Sequence, residues 1–264
     1  MLSARSMLAS VAARAGAVEA LLLPRACLGC ERPMGPAEGD AACCAVCRQH
    51  LRAIAPPVCG RCGQPLDRWS LELEAAGAAR DPGHCAFCRE WPAQLAWAAS
   101  AVWLDEGPAR NLVHALKYGG WTIAAGPMAA RIGAALGAKL AAVEALVPVP
   151  LGRTRLRERG HNQAAVLAAA LSRASGVPVV TGALLRVRET RTQTRLAPAD
   201  RRRNVSGAFA PAVTAGRVLV GRRVALVDDV VTTGATLGAA AQALAVLGPA
   251  SIGAVTFARA LVPA

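Results

Sequence analysis

Apolar and polar positions follow a regular pattern in the second part of the chain, where short apolar runs are separated by longer segments with helical spacing. Short apolar runs are typical of strands buried on both faces. The predicted strands are 98–104, 145–149, a strand region at 177–187, 222–227 and 251–257, and the predicted helices are 109–117, 126–142, 162–175 and 237–247. This alternation predicts an α/β fold with a mostly parallel sheet flanked by helices on both faces.

The first part of the chain lacks this alternation and divides into two segments. Residues 1–22 are expected to form an amphipathic helix of a cytoplasmic protein, because Glu19 interrupts the apolar stretch that a secretory signal needs. Residues 23–92 are expected to form a small module, and residues 93–264 the α/β domain. No apolar run approaches the roughly 18–20 residues that span a bilayer, so no membrane span is predicted.

The net charge of the chain indicates which kinds of partner it attracts. The net charge is +13, from 30 basic and 17 acidic residues, and arginines cluster at 153–159, 186–191 and 195–203. A chain this basic attracts polyanions such as diphosphate, nucleic acid or an acidic membrane surface.

All nine cysteines lie in the first third of the chain, and eight of them form C-x-x-C pairs. The pairs are Cys27/Cys30, Cys44/Cys47, Cys59/Cys62 and Cys85/Cys88. Each pair points two sulfurs at one cation, and four thiolates complete a tetrahedral zinc site. The simplest grouping predicts two structural zinc ions, the first two pairs on one and the last two on the other. An interleaved grouping stays open, as does the choice between Cys43 and Cys44.

Two other uses of these cysteines are weaker. Without an export signal the thiols should stay reduced, which disfavours disulfides. Iron–sulfur clusters generally use tighter cysteine runs than these regular pairs. His50 and His84 are not needed as ligands when eight paired thiols are present.

The strand predicted at 222–227 leads into two adjacent acids, Asp228 and Asp229. Ionised carboxylates accept hydrogen bonds, so the pair suits sugar hydroxyls or a hard cation such as Mg²⁺. A small, hydroxyl-rich turn follows and starts a helix, whose N-terminal N–H groups favour an anion. The turn residues are Val230, Val231, Thr232, Thr233, Gly234, Ala235 and Thr236. Together these features predict a site for a sugar that carries a phosphate; the alternative is a plain strand end with a helix cap.

Two competing nucleotide motifs are absent from the chain. Neither G-x-x-x-x-G-K-[ST] nor G-x-G-x-x-G occurs in the sequence. The acid pair is therefore not part of a nucleoside-triphosphatase loop or a dinucleotide fingerprint.

Basic residues surround the predicted site in the sequence. Arg153 and Arg155 follow the strand at 145–149, where open α/β sheets bind ligands, so we predict a diphosphate-binding loop with Arg153 as its leading contact. Residues 188–204 are predicted to form a lid, with Arg195 and Arg203 closing over a charged ligand. Lys117, one of only two lysines, precedes a Gly-Gly turn and is predicted as a phosphate contact.

Residues 224–236 resemble the phosphoribosyl-diphosphate-binding motif of type I phosphoribosyltransferases. The resemblance implies that the two acids contact the ribose 2′- and 3′-hydroxyls and that the turn holds the 5′-phosphate. The four C-x-x-C pairs, together with segments 116–119, 157–163, 192–196, 203–205 and 228–236, resemble the ComF family over about residues 20–260. That resemblance implies a double zinc ribbon in front of a phosphoribosyltransferase domain, and a link to DNA uptake in competent bacteria.

Two functions are compatible with these features. The first is binding of phosphoribosyl diphosphate or ribose 5-phosphate with Mg²⁺, with transfer of the phosphoribosyl group to an acceptor that the sequence does not name. The second is a non-catalytic protein that binds single-stranded DNA or senses a nucleotide, supported by the charge and the zinc ribbons. One tyrosine and three phenylalanines are few for stacking bases, which weighs against it. The oligomeric state is not predicted.

Overall fold

The computed structural model describes residues 25–35, 38, 41–66, 85–189 and 203–260. The helix expected at 1–22 and most of the expected lid, including Arg195, lie outside the described residues.

The main sheet has four parallel strands in the order β1-β6-β5-β2. The strands of the described residues are β1 (Trp97–Leu104), β2 (Ala145–Pro148), β3 (Leu184–Arg186), β4 (Phe209–Pro211), β5 (Arg223–Val231) and β6 (Ser251–Ala260). β3 and β4 pair antiparallel in a separate small sheet. β5 lies between two partners, so both edges of the strand that carries the acid pair are covered.

Helices connect the strands as the alternating pattern requires. They are α1 (Ala45–Gln49), α2 (Pro108–Tyr118), α3 (Ala125–Leu140), α4 (Arg153–Arg159), α5 (Gln163–Ser175), α6 (Val213–Leu219) and α7 (Ala235–Ala245), with a 3₁₀ turn at Thr122–Ala124. α2 starts with proline, which suits the first turn because its missing N–H is not needed there. α5 is capped by Asn162, whose side chain accepts a hydrogen bond from the N–H of Ala164.

Buried apolar residues form two clusters, one on each face of the sheet. Side chains of α2, α3 and α5 pack on one face together with Ala225 and Val227, whereas α7 and the β3–β4 pair cover the other face with Val224 and Leu226. Successive strand residues point to opposite faces, which explains why four apolar residues in a row occur in β5.

The cysteine-rich module packs on the open edge of β1. The N–H of Trp103 donates to the carbonyl of Arg52 at 2.9 Å, and the N–H of Ala98 donates to the carbonyl of Arg61 at 2.7 Å. Near the start of α2, Asn111 Nδ2 donates to the carbonyl of Gly29 at 2.8 Å. The module therefore continues the backbone hydrogen bonding of the sheet beyond its edge strand.

The predicted fold class is confirmed: a mostly parallel sheet is flanked by helices and preceded by a module with two four-cysteine clusters. Two local expectations differ from the structure. β5 continues to Val231, so the acid pair lies inside the strand and not after it. The basic segment expected to be a loop contains α4.

Within the part of the chain that the structure describes, no helix combines the length and the apolar character needed to cross a bilayer.

Candidate active site and metal clusters

The acid pair lies near the carboxyl end of β5, where the strand is still paired with β6. Asp228 is opposite Thr256, and the next paired residue, Val230, is opposite Ala258. Asp229 is 2% exposed, whereas Asp228 is partly exposed. The N–H of Asp229 donates to Asp228 Oδ1 at 2.9 Å, which fixes the Asp228 carboxylate against the backbone. The two adjacent acids therefore have different environments.

Lys117 reaches the buried member of the pair from the last turn of α2. Its Nζ lies 2.8 Å from Asp229 Oδ2, a buried oxygen that receives no well-aligned hydrogen bond from the described residues. Burial alone would raise the pKa of Asp229, but the Lys117 ammonium brings it below its usual range. Burial opposes the charge of Lys117 too, and Asp229 raises the pKa of this ammonium above its ordinary value. Both groups are therefore ionised and paired.

Asp228 has the opposite electrostatic environment. Burial in the crowded strand end, together with the charge of Asp229, raises the pKa of Asp228 to about 8. Lys117 offsets this only in part, because its ammonium lies against Asp229. Two neighbouring carboxylates whose pKa values are pushed apart are typical of functional sites.

The turn after β5 places a helix N-terminus beside the acids. Gly234 precedes α7 with φ 78° and ψ 0°, a left-handed conformation that a residue with a side chain rarely adopts. The carbonyl of Gly234 accepts the N–H of Gly238, so α7 is regular from its first turn. The hydroxyl oxygen of Thr233 lies 3.4 Å from the N–H of Ala235 and accepts a long hydrogen bond from it. Of the residues predicted to hold a phosphate, Val230 and Val231 belong to β5, whereas residues 232–236 lead into and begin the 11-residue helix α7.

Residues between α4 and α5 hold the end of α2 in place, a role that the sequence did not reveal. His161 Nε2 lies 2.7 Å from the carbonyl oxygen of Leu116, and its Nδ1 lies 3.0 Å from that of Arg159. Asn162 Nδ2 donates to the carbonyl of Val149 at 3.1 Å. These contacts join the ends of β2 and α2, and so they support the position of Lys117.

Arg159 lies close to the same end of α2. Its guanidinium carbon is 4.9 Å from the ring centroid of Tyr118, and its Nη1 donates to Gln163 Oε1 at 3.0 Å. The positive charge of Arg159 also helps to lower the pKa of Asp229, as a smaller contribution than that of Lys117. Arg159 is therefore a cation of the site, although Arg153 was predicted as the leading one.

The predicted diphosphate segment is occupied by a carboxylate of the chain itself. The N–H of Thr154 donates to Glu189 Oε1 at 3.0 Å, and a Cβ on Gly152 would lie 2.3 Å from Glu189 Oε2. Arg153 is exposed, and Arg155 is partly buried. Their contact with a diphosphate stays a prediction.

Arg186 is a further cation near Asp228 that the prediction did not single out. It lies on β3, and its guanidinium carbon is 5.2 Å from the ring centroid of Phe209. Burial, and next the charge of Arg155, lower the pKa of Arg186, whereas the charge of Asp228 acts in the opposite direction. Its membership of the 186–191 arginine cluster is the one sequence signal that marks it.

The C-terminal flank of the predicted lid contains Arg203, which is exposed. On the other flank, Arg188 Nη2 donates to the carbonyls of Asn204, at 3.1 Å, and Ser206. The two ends of the segment are thus tied together, and a lid function for the residues between them stays a prediction.

The eight paired cysteines form two clusters in the grouping that the sequence favoured. Within each cluster the sulfurs lie within 4.8 Å of one another; the clusters are Cys27, Cys30, Cys44 and Cys47, and Cys59, Cys62, Cys85 and Cys88. Four sulfurs at about 2.3 Å from a tetrahedral zinc ion are about 3.8 Å apart. The sulfur pairs Cys59–Cys88 and Cys85–Cys88, at 3.8 and 3.9 Å, match this spacing. Both clusters therefore fit zinc, and Cys43 belongs to neither.

A buried arginine lies next to the second cluster. Arg259, at the end of β6, is fully buried, and its Nη1 donates to Gln64 Oε1 at 3.1 Å. Its Nη2 donates to the carbonyl of Cys62. Four thiolates around Zn²⁺ leave a net charge of −2, and a buried guanidinium offsets part of that charge. This arrangement supports a zinc-bound, fully deprotonated cluster.

Comparisons with known proteins agree with this division. Residues 18–89 match the double zinc ribbon domain, and residues 147–262 match the phosphoribosyl transferase domain. Competence protein F of Haemophilus influenzae is 33% identical over 211 residues, which cover 78% of this chain and 85% of that protein. DNA utilization protein YhgH of Escherichia coli K12 is 29% identical over 238 residues, 88% of this chain and 96% of that protein.

The sheet, the acid pair and the two cysteine clusters define a protein with a double zinc ribbon in front of a phosphoribosyltransferase domain. The similarity to Competence protein F extends over more than two thirds of both chains. The chain belongs to the ComF family.

Proposed function

We propose that the carboxyl end of β5 binds phosphoribosyl diphosphate or ribose 5-phosphate together with Mg²⁺. The observation that supports this most directly is that a partly exposed carboxylate, Asp228, lies in the same strand end as the turn that starts α7. A ribose with a 5′-phosphate offers hydroxyl donors to the acid and an anion to the helix N-terminus. The Asp228 carboxylate and the N-terminus of α7 therefore lie at the same end of the sheet, and each complements one part of such a ligand.

Each part of the site has a separate role in this proposal. The N–H groups and hydroxyls at Thr232–Thr236 bind the 5′-phosphate. Asp228, when ionised, accepts hydrogen bonds from the ribose hydroxyls. Asp229 is occupied by Lys117, so it acts mainly through its charge and by fixing the end of α2. The two acids are thus not equivalent, although the sequence motif presents them as a pair.

In this proposal, the basic residues of the neighbouring segments contact the diphosphate end of phosphoribosyl diphosphate. Arg153, Arg155 and Arg186 supply positive charge for a diphosphate, and Arg195 and Arg203 belong to the segment proposed to close over it. Diphosphate at the Thr154 N–H would displace the Glu189 carboxylate, which now accepts that hydrogen bond. Mg²⁺, held by diphosphate oxygens and Asp228, would neutralise further negative charge.

The transfer reaction extends this binding proposal. The bond between C1 of the ribose and the diphosphate oxygen breaks, diphosphate leaves with the electron pair, and C1 forms a bond to a nucleophile of the acceptor. The neighbouring carboxylates stabilise the positive charge that develops at C1. A diphosphate-release assay across bases, amines and single-stranded DNA decides whether this protein catalyses the transfer.

Calorimetry tests the binding proposal directly. Phosphoribosyl diphosphate with Mg²⁺ is titrated into the wild type and into the Asp228→Asn, Asp229→Asn double variant, with Glu144→Gln as the matched control. Glu144 is an acid outside the site that bonds to Arg223 next to the opposite end of β5. We expect at least a tenfold loss of affinity in the double variant, about 1.4 kcal/mol, and none in the control. Equal affinities in all three proteins would overturn the assignment.

A second candidate function is binding of single-stranded DNA, in keeping with the names of the relatives, a competence protein and a DNA utilization protein. A specific surface favours it: Tyr118 and Trp121 are 61% and 57% exposed, and Arg159 lies over the Tyr118 ring. Exposed aromatic rings beside arginines suit stacked bases and their phosphates. This surface adjoins Lys117, so a strand bound there would lie beside the proposed ribose site.

The DNA proposal predicts both stacking and a salt effect. Trp121→Ala should weaken binding of a fluorescent oligonucleotide by about tenfold. Trp103→Ala serves as the control, because the Trp103 ring lies at the edge of β1 under the Arg52 guanidinium. Affinity should fall steeply between about 50 and 200 mM salt, to about one hundredth or less. DNA binding that is unaffected by both the Trp121→Ala change and the salt concentration would rule out this surface as the DNA-binding site.

A further inference from the structure

The end of the zinc-ribbon module contacts the turn proposed to hold the phosphate. Trp91 Nε1 donates to the carbonyl of Thr233 at 3.0 Å. This contact joins residues 142 positions apart in the chain. Trp91 is only 8% exposed, so the indole is enclosed between the module and the turn.

The indole ring also occupies the space beside Gly234. A Cβ on Gly234 would lie 2.3 Å from Cζ2 and 2.4 Å from Cε2 of Trp91. One turn further along α7, a Cβ on Gly238 would lie 3.0 Å from Cδ of Pro92. Two consecutive residues of the module thus pack directly on the backbone of the first turn of α7.

The second cysteine cluster in turn holds the Trp91–Pro92 segment. Arg61, between Cys59 and Cys62, donates through Nη1 to the carbonyl of Cys88 at 3.0 Å and through Nη2 to that of Pro92 at 2.9 Å. Its Nη2 also donates to the carbonyl of Leu95 at 3.0 Å. A single buried guanidinium therefore joins the metal knuckle to the segment that touches the turn.

A second connection reaches Trp91 through its side chain. The Phe87 ring meets the Trp91 ring edge-on at a centroid distance of 5.9 Å. The guanidinium of Arg259 lies 5.1 Å from the Phe87 centroid while it donates to the carbonyl of Cys62. Trp91 is thus fixed from both the module and the end of β6.

We infer that the second zinc ribbon is part of the wall of the phosphate site, and that Trp91 is a positioning residue that holds the Thr233–Gly234 backbone in its ligand-binding shape. The phosphate-binding part rests on the proposed function. Folding of this ribbon around its metal then sets the affinity of the α/β domain for ribose 5-phosphate. The ribbon has, in this view, a direct role in ligand binding as well as in stability.

The test compares Trp91→Phe with Trp97→Phe in the full-length protein, after metal analysis shows two zinc ions per chain. Trp97 is a matched control because its ring also lies on a glycine: a Cβ on Gly253 would be 2.0 Å from Cε2. Trp91→Phe keeps a ring but removes the N–H that bonds to Thr233. We expect an affinity for ribose 5-phosphate about five- to tenfold weaker in Trp91→Phe, as loss of one buried hydrogen bond implies, and unchanged in Trp97→Phe.

Hydrogen exchange supplies a readout that needs no ligand. The amides of residues 232–236 should exchange about five- to tenfold faster in Trp91→Phe than in the wild type or in Trp97→Phe. If Trp91→Phe does not fold, the indole N–H resonance of Trp91 is followed in the wild type, and it should shift on addition of ribose 5-phosphate while that of Trp97 does not.

The outcomes separate the two proposals. A wild type that binds no ribose 5-phosphate overturns the proposed function, while the exchange data still decide whether Trp91 fixes the turn. A wild type that binds, with Trp91→Phe equal to Trp97→Phe in affinity and exchange, overturns the positioning role and leaves the proposed function intact. An indole N–H resonance of Trp91 that does not shift on addition of ribose 5-phosphate also counts against the positioning role.

Discussion

Lys117 and Asp229 form a buried ion pair that joins the end of α2 to the end of β5, with Nζ 2.8 Å from Oδ2. The carboxylate is 2% exposed and the lysine side chain 21% exposed. This pair separates the roles of the two adjacent acids, because Lys117 keeps Asp229 ionised, whereas burial and the charge of Asp229 raise the pKa of Asp228. Several measurable properties depend on it.

Removal of the lysine charge should destabilise the protein strongly. In Lys117→Met, Asp229 is left buried without its cation, which should lower the free energy of unfolding by about 2–4 kcal/mol at pH 7. Lys139→Met is the control, since Lys139 is exposed and lies over the Trp97 ring. Urea unfolding measures both. A Lys117→Met protein as stable as the control would show that the pair contributes little.

The pH dependence of stability should reveal the raised pKa of Asp228. Its pKa is about 8 in the folded protein and near 3.8 when unfolded, so between these values the native state keeps a proton that the unfolded chain has released. The contribution of Asp228 to stability is therefore complete below pH 3.8 and is lost as the pH rises towards 8. Asp228→Asn should become more stable than the wild type across this range. Unfolding of both proteins at several pH values measures the difference, and parallel curves would contradict the shift.

Ligand binding should show the opposite pH dependence. Only the ionised Asp228 accepts two or more hydrogen bonds from ribose, and above about pH 7 the phosphate of the ligand is already fully charged. Affinity for ribose 5-phosphate should therefore be roughly tenfold higher at pH 9 than at pH 7, for a group with a pKa of about 8. Calorimetry on Asp228→Asn, which should show a flat profile, separates this group from other titrations.

Metal content should distinguish the two adjacent cysteines of the first cluster. Cys44 lies in the cluster and Cys43 does not. Cys43→Ala should keep two zinc ions per chain, whereas Cys44→Ser should lose one, because three thiolates hold the ion less tightly. Elemental analysis after dialysis measures the ratio. One zinc ion in Cys43→Ala and two in Cys44→Ser would reverse the assignment.

Gly234 should be more sensitive to substitution than another glycine with similar backbone angles. Gly234→Ala combines the strain of a positive φ with a clash against Trp91, so it should lower stability by about 2–4 kcal/mol. Gly248 has φ 72°, but a Cβ at this position would meet no heavy atom within 4 Å, so Gly248→Ala should cost only about 1 kcal/mol. Thermal unfolding compares the two variants. Equal losses of stability would show that the Trp91 ring moves away from the added methyl group without an energetic penalty.

Local pattern was enough to predict the fold class and the two cysteine clusters. The apolar run at 224–227 and the C-x-x-C spacings are contiguous signals that need no knowledge of distant residues. The end of β5 was placed too early because Asp228 and Asp229 are polar, whereas pairing with β6 extends the strand to Val231. Tertiary pairing here outweighs local polarity.

The contacts that give the site its character could not be predicted in this way. Lys117 was assigned to a phosphate because a lone basic residue near a turn carries no sign of its partner, and the structure places it on Asp229, 112 residues later. Trp91 was not predicted as part of the site, since nothing in its neighbours points to Thr233. Such pairs depend on how α2 and the module pack on the sheet, which sequence spacing does not encode.

The hydrogen bonds from Trp103 to Arg52 and from Ala98 to Arg61 also affect how the α/β domain would behave alone. They cover one side of β1, which is an edge strand of the sheet. In a chain that starts at residue 93, these N–H groups would lack their carbonyl partners. Exposed strand edges with unpaired N–H groups pair with other chains. Self-association is therefore expected of the isolated α/β domain, because the cysteine-rich module is what covers this strand edge in the full chain.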